Sequence, residues 1–197
     1  MHESLARLPL SRPSSDLQIR NLGQTVQRCP PVAAAPAVVP YPPVHRPADH
    51  LERICEAGRR APSSQNWQPW DFVVVTDREQ LAELAKAWER GGRHIVGSAA
   101  TIALVAQEPE DQRHRDWVLY DFGQATAFMM LAAADLGIGS GHSSVADQQQ
   151  AQRVLGFPDG YRAVYLIGLG YPADRPMRPI SRSNRPPFDE VVHWNHW

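Results

Sequence analysis

Blocks of hydrophobic and polar positions over residues 48–197 predict helices and strands in turn. Leu51, Ile54 and Cys55 recur at helical spacing, so a helix is expected from a cap at Asp49 to about Arg60. The later blocks predict a strand, an amphipathic helix, a strand, the longest helix, a short helix, a strand and a tail, over residues 72–75, 77–92, 101–107, 116–136, 147–155, 163–169 and 171–197. This order favours an α+β fold built around one sheet.

The predicted helix over residues 116–136 is apolar around most of its circumference. Phe122 and Met129 would lie on one side, and Phe128 and Leu131 on others. A helix of this kind must be covered on more than one side. Two explanations are open: a subunit interface, or a central helix that its own chain surrounds.

Residues 1–47 differ in composition from the rest of the chain. Prolines recur throughout this part, and residues 32–44 are nearly all Ala, Val and Pro. We expect an atypical, Pro-rich N-terminal segment over residues 1–47 that is extended or poorly ordered, with one possible short helix over 15–28. The domain proper would comprise residues 48–197.

Composition narrows the classes of function. A net charge of −1 and a pI near 6.7 argue against a nucleic-acid partner. We find neither a signal peptide nor a membrane-spanning stretch, so we expect a cytoplasmic protein without a membrane partner. Cys29 and Cys55 do not make a disulfide framework, and the eight histidines lack the spacing of a metal site. No catalytic nucleophile, acid or base can be identified by spacing.

The stretch over residues 59–76 changes character twice and is the main candidate site. Pro62 ends the preceding helix, and residues 63–66 are short or medium polar side chains that suit free backbone groups or a ligand. Trp67 and Trp70 then lead into a buried strand. A polar loop beside two tryptophans suits a flat polar ligand. The alternative is an ordinary connection whose tryptophans belong to the core.

Two further places carry candidate binding residues. Small residues from Gly139 to Ser143, among them Ser140 and Gly141, would let main-chain N–H groups reach a flat ring. The spacing of the glycines is not that of a dinucleotide fingerprint, and turn formation is the alternative. Arg185 comes just before an aromatic tail that we expect to be docked, and it is the arginine that we place against an anion.

Residues 61–70 read A-P-S-S-Q-N-W-Q-P-W and precede F-V-V-V, which closely resembles the A-P-S-S-x-N-x-Q-P-W-x-F-x-V-V signature of the nitroreductase family. Residues 120–141, 164–172 and 184–197 resemble the family's long helix and following loop, its last core strand and its C-terminus. The resemblance implies a nitroreductase-like fold: a central mixed β-sheet flanked by helices, with the long central helix at the interface of a homodimer.

The family consists of FMN-dependent oxidoreductases, so the resemblance also implies a site and a reaction. NAD(P)H would give a hydride to flavin N5 and leave, and an electron-poor small molecule such as a nitroaromatic or a quinone would then take the electrons. The cofactor does this chemistry, so no catalytic side chain is required. By this resemblance, the flavin ring and ribityl chain would be held by Pro62, Ser63, Ser64 and Asn66, with Gln68 nearby. The residues beside the ring would be Ser140 and Gly141. The phosphate would pair with Arg185. Asp121 matches a motif position without a ligand role.

The N-terminal part departs from the family pattern. Members normally carry an R-R-S-x-R-x-F motif whose basic residues grip the phosphate, but the corresponding residues 34–44 are alanine, valine and proline. Each charged hydrogen bond lost from the phosphate would cost about 1.5–3 kcal/mol. The alternative function is therefore a degenerate, non-catalytic protein of the same fold that binds flavin weakly or not at all.

Overall fold

The computed structural model describes residues 47–88, 92–172 and 185–197. The expectations for the N-terminal segment, including its short helix, fall outside these residues. The elements in chain order are α1 (Pro47–Arg59), a 3-10 turn (Ser64–Asn66), β1 (Asp71–Val75), α2 (Arg78–Ala85), α3 (Gly92–Val96), β2 (Ala100–Gln107), α4 (Gln112–Asp135), β3 (Gly139–Ser144), α5 (Gln148–Leu155), β4 (Tyr161–Gly170) and α6 (Phe188–Val191).

The four strands form one sheet in the order β1-β2-β4-β3. All three pairings are antiparallel, with Asp71 opposite Val105 at one end and Gly139 opposite Gly170 at the other. The predicted α+β class is confirmed, but the sheet is not mixed within the described part of the chain. A pattern of buried positions along the sequence predicts that a strand exists but not its direction. The pattern therefore could not show whether the strands pair parallel or antiparallel.

Helices cover both faces of the sheet, and β2 shows this most clearly. Ile102 and Leu104 belong to the apolar cluster beneath α1 and α4, whereas Ala103 and Val105 belong to the cluster beneath α2, α3 and α5. Successive side chains of a strand point to opposite faces, so a central strand covered on both sides is a continuous apolar run. That pattern had predicted this strand correctly.

The long helix α4 packs closely against α1 and leaves another side exposed. A Cβ placed on Gly58 would lie 2.3 Å from Met129 Cε, so the two helices approach at a glycine. On the open side, Tyr120 is 68% exposed and Phe128 is 43% exposed. The described residues therefore cover this helix only partly.

Three expectations for local structure need correction. Residues 139–144 were expected to form a loop, but they form the edge strand β3, because β4 supplies a pairing partner that outweighs the weak strand preference of Gly and Ser. Trp67 was expected in the core as one alternative, but 47% of its surface is exposed, and only Trp70 is buried. Also, α1 begins at Pro47, so Asp49 lies in its first turn and does not precede it.

Candidate functional site

The loop between α1 and β1 is folded by its own short-range hydrogen bonds. The Asn66 N–H donates to the Ser63 carbonyl at 3.0 Å, and the Trp67 N–H donates to the Ser64 carbonyl at 3.0 Å. The Ser63 hydroxyl accepts from the Gln68 N–H at 3.0 Å. These bonds close residues 63–68 into a compact bend, which we call the polar loop.

Three residues of the polar loop have left-handed backbone conformations although none of them is glycine. Gln65, Asn66 and Gln68 have φ values of 53°, 59° and 54°. Asparagine tolerates this region, but for most L-residues it costs about 1–2 kcal/mol. Such strain persists only where the surroundings maintain it, and it is concentrated at functional sites.

The polar loop is anchored to α4 by a buried carboxylate. Asp121, which is fully buried, accepts the Ser64 N–H with both oxygens at 2.9 and 3.0 Å, and its Oδ1 also accepts the Ser64 hydroxyl at 3.0 Å. The hydroxyl hydrogen of Ser64 is therefore used inside the protein. The partners are 57 positions apart in the chain, a relation that no local pattern reveals.

Aromatic rings of α4 form a second contact with the polar loop. The ring centroids of Trp67 and His114 are 5.9 Å apart in an edge-to-face arrangement, and those of His114 and Trp117 are 5.2 Å apart. Asp111 caps the helix by accepting the His114 N–H and ring Nδ1, both at 2.8 Å, and these hydrogen bonds lower the pKa of the Asp111 carboxyl. His114, Trp117 and Asp121 are three and four positions apart, so one row of α4 faces the polar loop.

The polar loop presents most of its ligand-binding groups outward. Pro62, Asn66 and Gln68 are exposed, and Ser63 is half-buried. The Gln68 side-chain amide donates to Asn66 Oδ1 at 3.1 Å, which orients the two amides together. The predicted loop residues are thus brought together on an open surface, with Ser64 turned towards α4.

The other predicted site residues lie elsewhere in the chain. Ser140, which is buried, and Gly141 belong to β3, at the opposite sheet edge from β1. From Asp121 to Asp135 the helix spans about 21 Å before β3 begins. Three inter-strand spacings, about 14 Å in all, separate β1 from β3. The polar loop and β3 therefore belong to opposite edges of the sheet within one chain. Arg185 is exposed in the C-terminal segment.

That segment also exposes the aromatic residues that we expected to be docked. Phe188, Trp194 and Trp197 are 67%, 74% and 97% exposed, although the rings of His193 and Trp197 contact each other at 4.2 Å. Side chains of this kind are rarely left in water. No helix within the described residues is both long and apolar enough to cross a bilayer.

Sequence reasoning missed the role of Asp121 and the contribution of His114 and Trp117. Asp121 is an acidic residue among apolar neighbours in a helix, and that position was itself a signal, because an isolated buried charge must be paired. The two rings gave no comparable signal. Their part depends on where the polar loop lies against α4.

Comparisons with known proteins agree with this fold. The model of the nitroreductase family matches residues 45–91 and 86–171. A protein of Archaeoglobus fulgidus, provisionally named NADH dehydrogenase/NAD(P)H nitroreductase, is 33% identical over 131 residues, which are 64% of this chain and 74% of that protein.

Solved structures give the same result. A nitroreductase family protein from Streptococcus pneumoniae superposes with a TM-score of 0.68 at 25% identity, covering 90% of this chain and all of that one (100%). The NADPH:FMN oxidoreductase from Vibrio harveyi, complexed with NAD+, shares the fold with a TM-score of 0.66 at 22% identity, over 88% of this chain and 78% of that one. The chain therefore belongs to the nitroreductase family.

Proposed function

We propose that this protein is an FMN-dependent oxidoreductase that passes electrons from NAD(P)H, by ping-pong hydride transfer, to an electron-poor acceptor such as a nitroaromatic or a quinone. Residues 48–197 would form the flavin-binding unit. The observation that carries the proposal is the polar loop, which is compact, strained and open. The similarity to an NAD(P)H nitroreductase and to an NADPH:FMN oxidoreductase supports the choice of cofactor and reductant.

The polar loop suits one edge of a flavin. Ser63 can still donate its hydroxyl hydrogen, and the amides of Asn66 and Gln68 offer both donors and acceptors at the surface. The uracil-like side of the isoalloxazine ring presents alternating carbonyl and ring-nitrogen groups, which such side chains can match. When bound, the flavin supplies the hydride chemistry, and this chain supplies position and polarity.

The separation of the two groups of site residues supports a homodimer with a shared site. Because β1 and β3 are opposite edges of the sheet, we expect Ser140 and Gly141 of a second chain to complete the site at the polar loop. The open side of α4, with Tyr120 and Phe128, is an apolar surface suited to that contact. We therefore propose that each flavin lies at the subunit interface, and that the exposed C-terminal segment with Arg185 also docks there.

Flavin binding can be tested directly on the purified full-length protein. We expect flavin absorbance, a saturable titration with FMN, and bleaching of the bound flavin by NADH or NADPH without oxygen. A colourless protein without affinity for FMN would refute this function. It would favour the alternative, a non-catalytic relative, which the Ala-, Val- and Pro-rich residues 34–44 support.

A shared site can be tested by complementation between two defective variants. Asn66→Leu damages the polar loop, and Gly141→Val places a side chain where the backbone would approach the ring. Each homodimer would carry two damaged sites. A heterodimer of the two, isolated with two affinity tags, would carry one doubly damaged site and one intact site, so FMN binding should return to half of the wild-type amount.

The tagged homodimers of each variant, isolated in the same way as the heterodimer, are the controls. If the heterodimer binds no more FMN than these homodimers do, the polar loop and the residues Ser140 and Gly141 do not form one shared site.

A further inference from the structure

We propose that Asp121 is a positioning residue for the cofactor: its buried carboxylate holds the polar loop in its strained, flavin-accepting shape from behind. The inference rests on the proposed flavin function and adds to it a residue that touches no ligand. It is distinct from the shared site, because the anchor and the polar loop belong to the same chain.

The first observation is the set of hydrogen bonds between Asp121 and Ser64. Both carboxylate oxygens of Asp121 lie within 3.0 Å of the Ser64 N–H, and Oδ1 also accepts the Ser64 hydroxyl. A charged acceptor strengthens such bonds, and a fully buried carboxylate without them would be very unfavourable. The pair therefore fixes the distance between α4 and the polar loop.

The position of Ser64 carries the second step. Ser64 begins the 3-10 turn, and the left-handed residues Gln65 and Asn66 follow it directly. The Ser64 carbonyl accepts the Trp67 N–H, so the anchored residue also closes the turn. Releasing Ser64 would let Gln65 and Asn66 relax to commoner backbone angles, which would turn the Asn66 amide away from its present direction.

The third observation is a second contact between the polar loop and α4, close to Asp121. The Trp67 ring rests against His114 on the same row of α4, so the polar loop is held at two points, one polar and one aromatic. The aromatic contact is exposed and permits sliding, whereas the carboxylate contact is buried and directional. Asp121 is therefore the contact that determines the backbone shape of the polar loop.

The test measures FMN affinity for a small set of variants of the full-length protein. Asp121→Asn keeps one carbonyl acceptor and should raise the FMN dissociation constant about 3- to 10-fold, while Asp121→Ala should raise it about 10- to 100-fold. Ser64→Ala should cause a smaller loss. Asp135→Asn is the matched control on the same helix, because Asp135 is exposed and pairs with Arg53 only at 3.6 Å; its affinity should equal that of wild type.

Two readouts separate positioning from general damage. In Asp121→Ala combined with Ser64→Ala, the losses in affinity should be less than additive, because both changes break one contact. Hydrogen exchange of the Ser64 amide in the apoprotein should rise in both Asp121 variants, with other core amides unchanged. Should Asp121→Ala fail to fold, Asp121→Asn and Ser64→Ala still decide the question.

The outcomes are distinguishable from failure of the proposed function. Wild-type protein that does not bind FMN would refute that function and this inference with it. Wild-type binding, with an Asp121→Asn affinity equal to that of Asp135→Asn, would overturn the positioning role alone. A lower melting temperature with unchanged FMN affinity would likewise overturn it, since the anchor would then be purely structural.

Discussion

At the scale of single residues, Glu56 and two arginines form a group of paired charges shortly before the polar loop. Glu56, in the last turns of α1, accepts hydrogen bonds from Arg59 at 2.6 and 2.8 Å and from Arg60 at 2.5 Å. These bonds lower the pKa of the Glu56 carboxyl from 4.5 to about 2. The side chains are exposed, so the contribution is small and screened by salt.

The pH dependence of Glu56 gives a first prediction. A carboxyl whose pKa is lower in the folded state stabilises that state above its unfolded pKa and loses the effect as pH falls through the folded pKa. The melting temperature of Glu56→Gln should therefore lie below that of wild type above about pH 4.5, and the two should converge towards pH 2. Thermal unfolding at several pH values measures this difference.

The same series in high salt is the control, since salt should reduce the difference at every pH. A difference that grows on acidification would contradict the assignment of the lowered pKa to these arginines.

Single residues also show where sequence reasoning succeeds and where it stops. Ser63, Ser64 and Asn66 were identified as loop residues because Pro62 and the strand after them bound the segment. The left-handed angles of Gln65 and Gln68 were not foreseeable, since glutamine has no preference for that region. The neighbouring residues Ser64 and Trp67 contact α4, and we propose that these contacts hold the conformation of the polar loop.

At the scale of elements, the pairing of α1 with α4 depends on one glycine. The Cβ position of Gly58 would lie 2.3 Å from Met129 Cε and 2.8 Å from Met129 Cγ, so neither helix can move closer and neither side chain can grow. The amphipathic pattern predicted both helices. It did not predict this contact, because a glycine within a helix is equally consistent with a helix end.

Substitution at this contact gives a second prediction. Gly58→Ala should destabilise the protein by about 1–3 kcal/mol, because the added methyl group forces Met129 aside. Met129→Ala alone should destabilise it by about 2–5 kcal/mol through the cavity that it leaves. In the double variant the methyl group fills part of that cavity, so the total loss in the free energy of unfolding should be less than the sum.

Urea unfolding of the four proteins in this cycle measures the coupling. Strictly additive losses would show that the two side chains do not compete for the same space.

The strand β3 shows a limit of prediction at this scale. Its sequence, Gly-Ser-Gly-His-Ser-Ser, has low strand preference, and the structure nevertheless pairs it with β4 along its whole length. Tertiary pairing overrides local preference most easily at an edge strand, where only one neighbour has to be satisfied. The apolar runs of β2 and β4 were recognisable because burial on both faces leaves few polar positions.

At the scale of the whole molecule, large apolar side chains are exposed at two places among the described residues, on α4 and in the C-terminal segment. Within the described part of the chain, the open side of α4 and the aromatic residues of the C-terminal segment are exposed. The sequence pattern predicted the apolar circumference of α4 but left two explanations open. The exposure of Tyr120 and Phe128 among the described residues agrees with the interface that we propose.

Disruption of that surface gives a third prediction. Tyr120→Arg should leave the monomer folded, because Tyr120 is 68% exposed. In a dimer, the substitution would bury an unpaired charge, so the dimer dissociation constant should rise at least about 30-fold. Sedimentation velocity would measure the shift to monomer, and FMN affinity should fall with it if the site is shared.

Gln149→Arg, on the exposed side of α5, adds the same charge away from α4 and is the control. Equal effects of the two substitutions on association would argue against α4 as the interface.

The uninterrupted course of α4 from the polar loop to β3 limits how this chain can evolve. An insertion or deletion of one residue between Asp121 and Asp135 would rotate everything after it by about 100° and turn apolar positions towards solvent. The turn before α4, with Glu108 and Glu110 exposed, carries no such restriction. Length variation among homologous sequences should therefore accumulate at that turn and be absent from the helix.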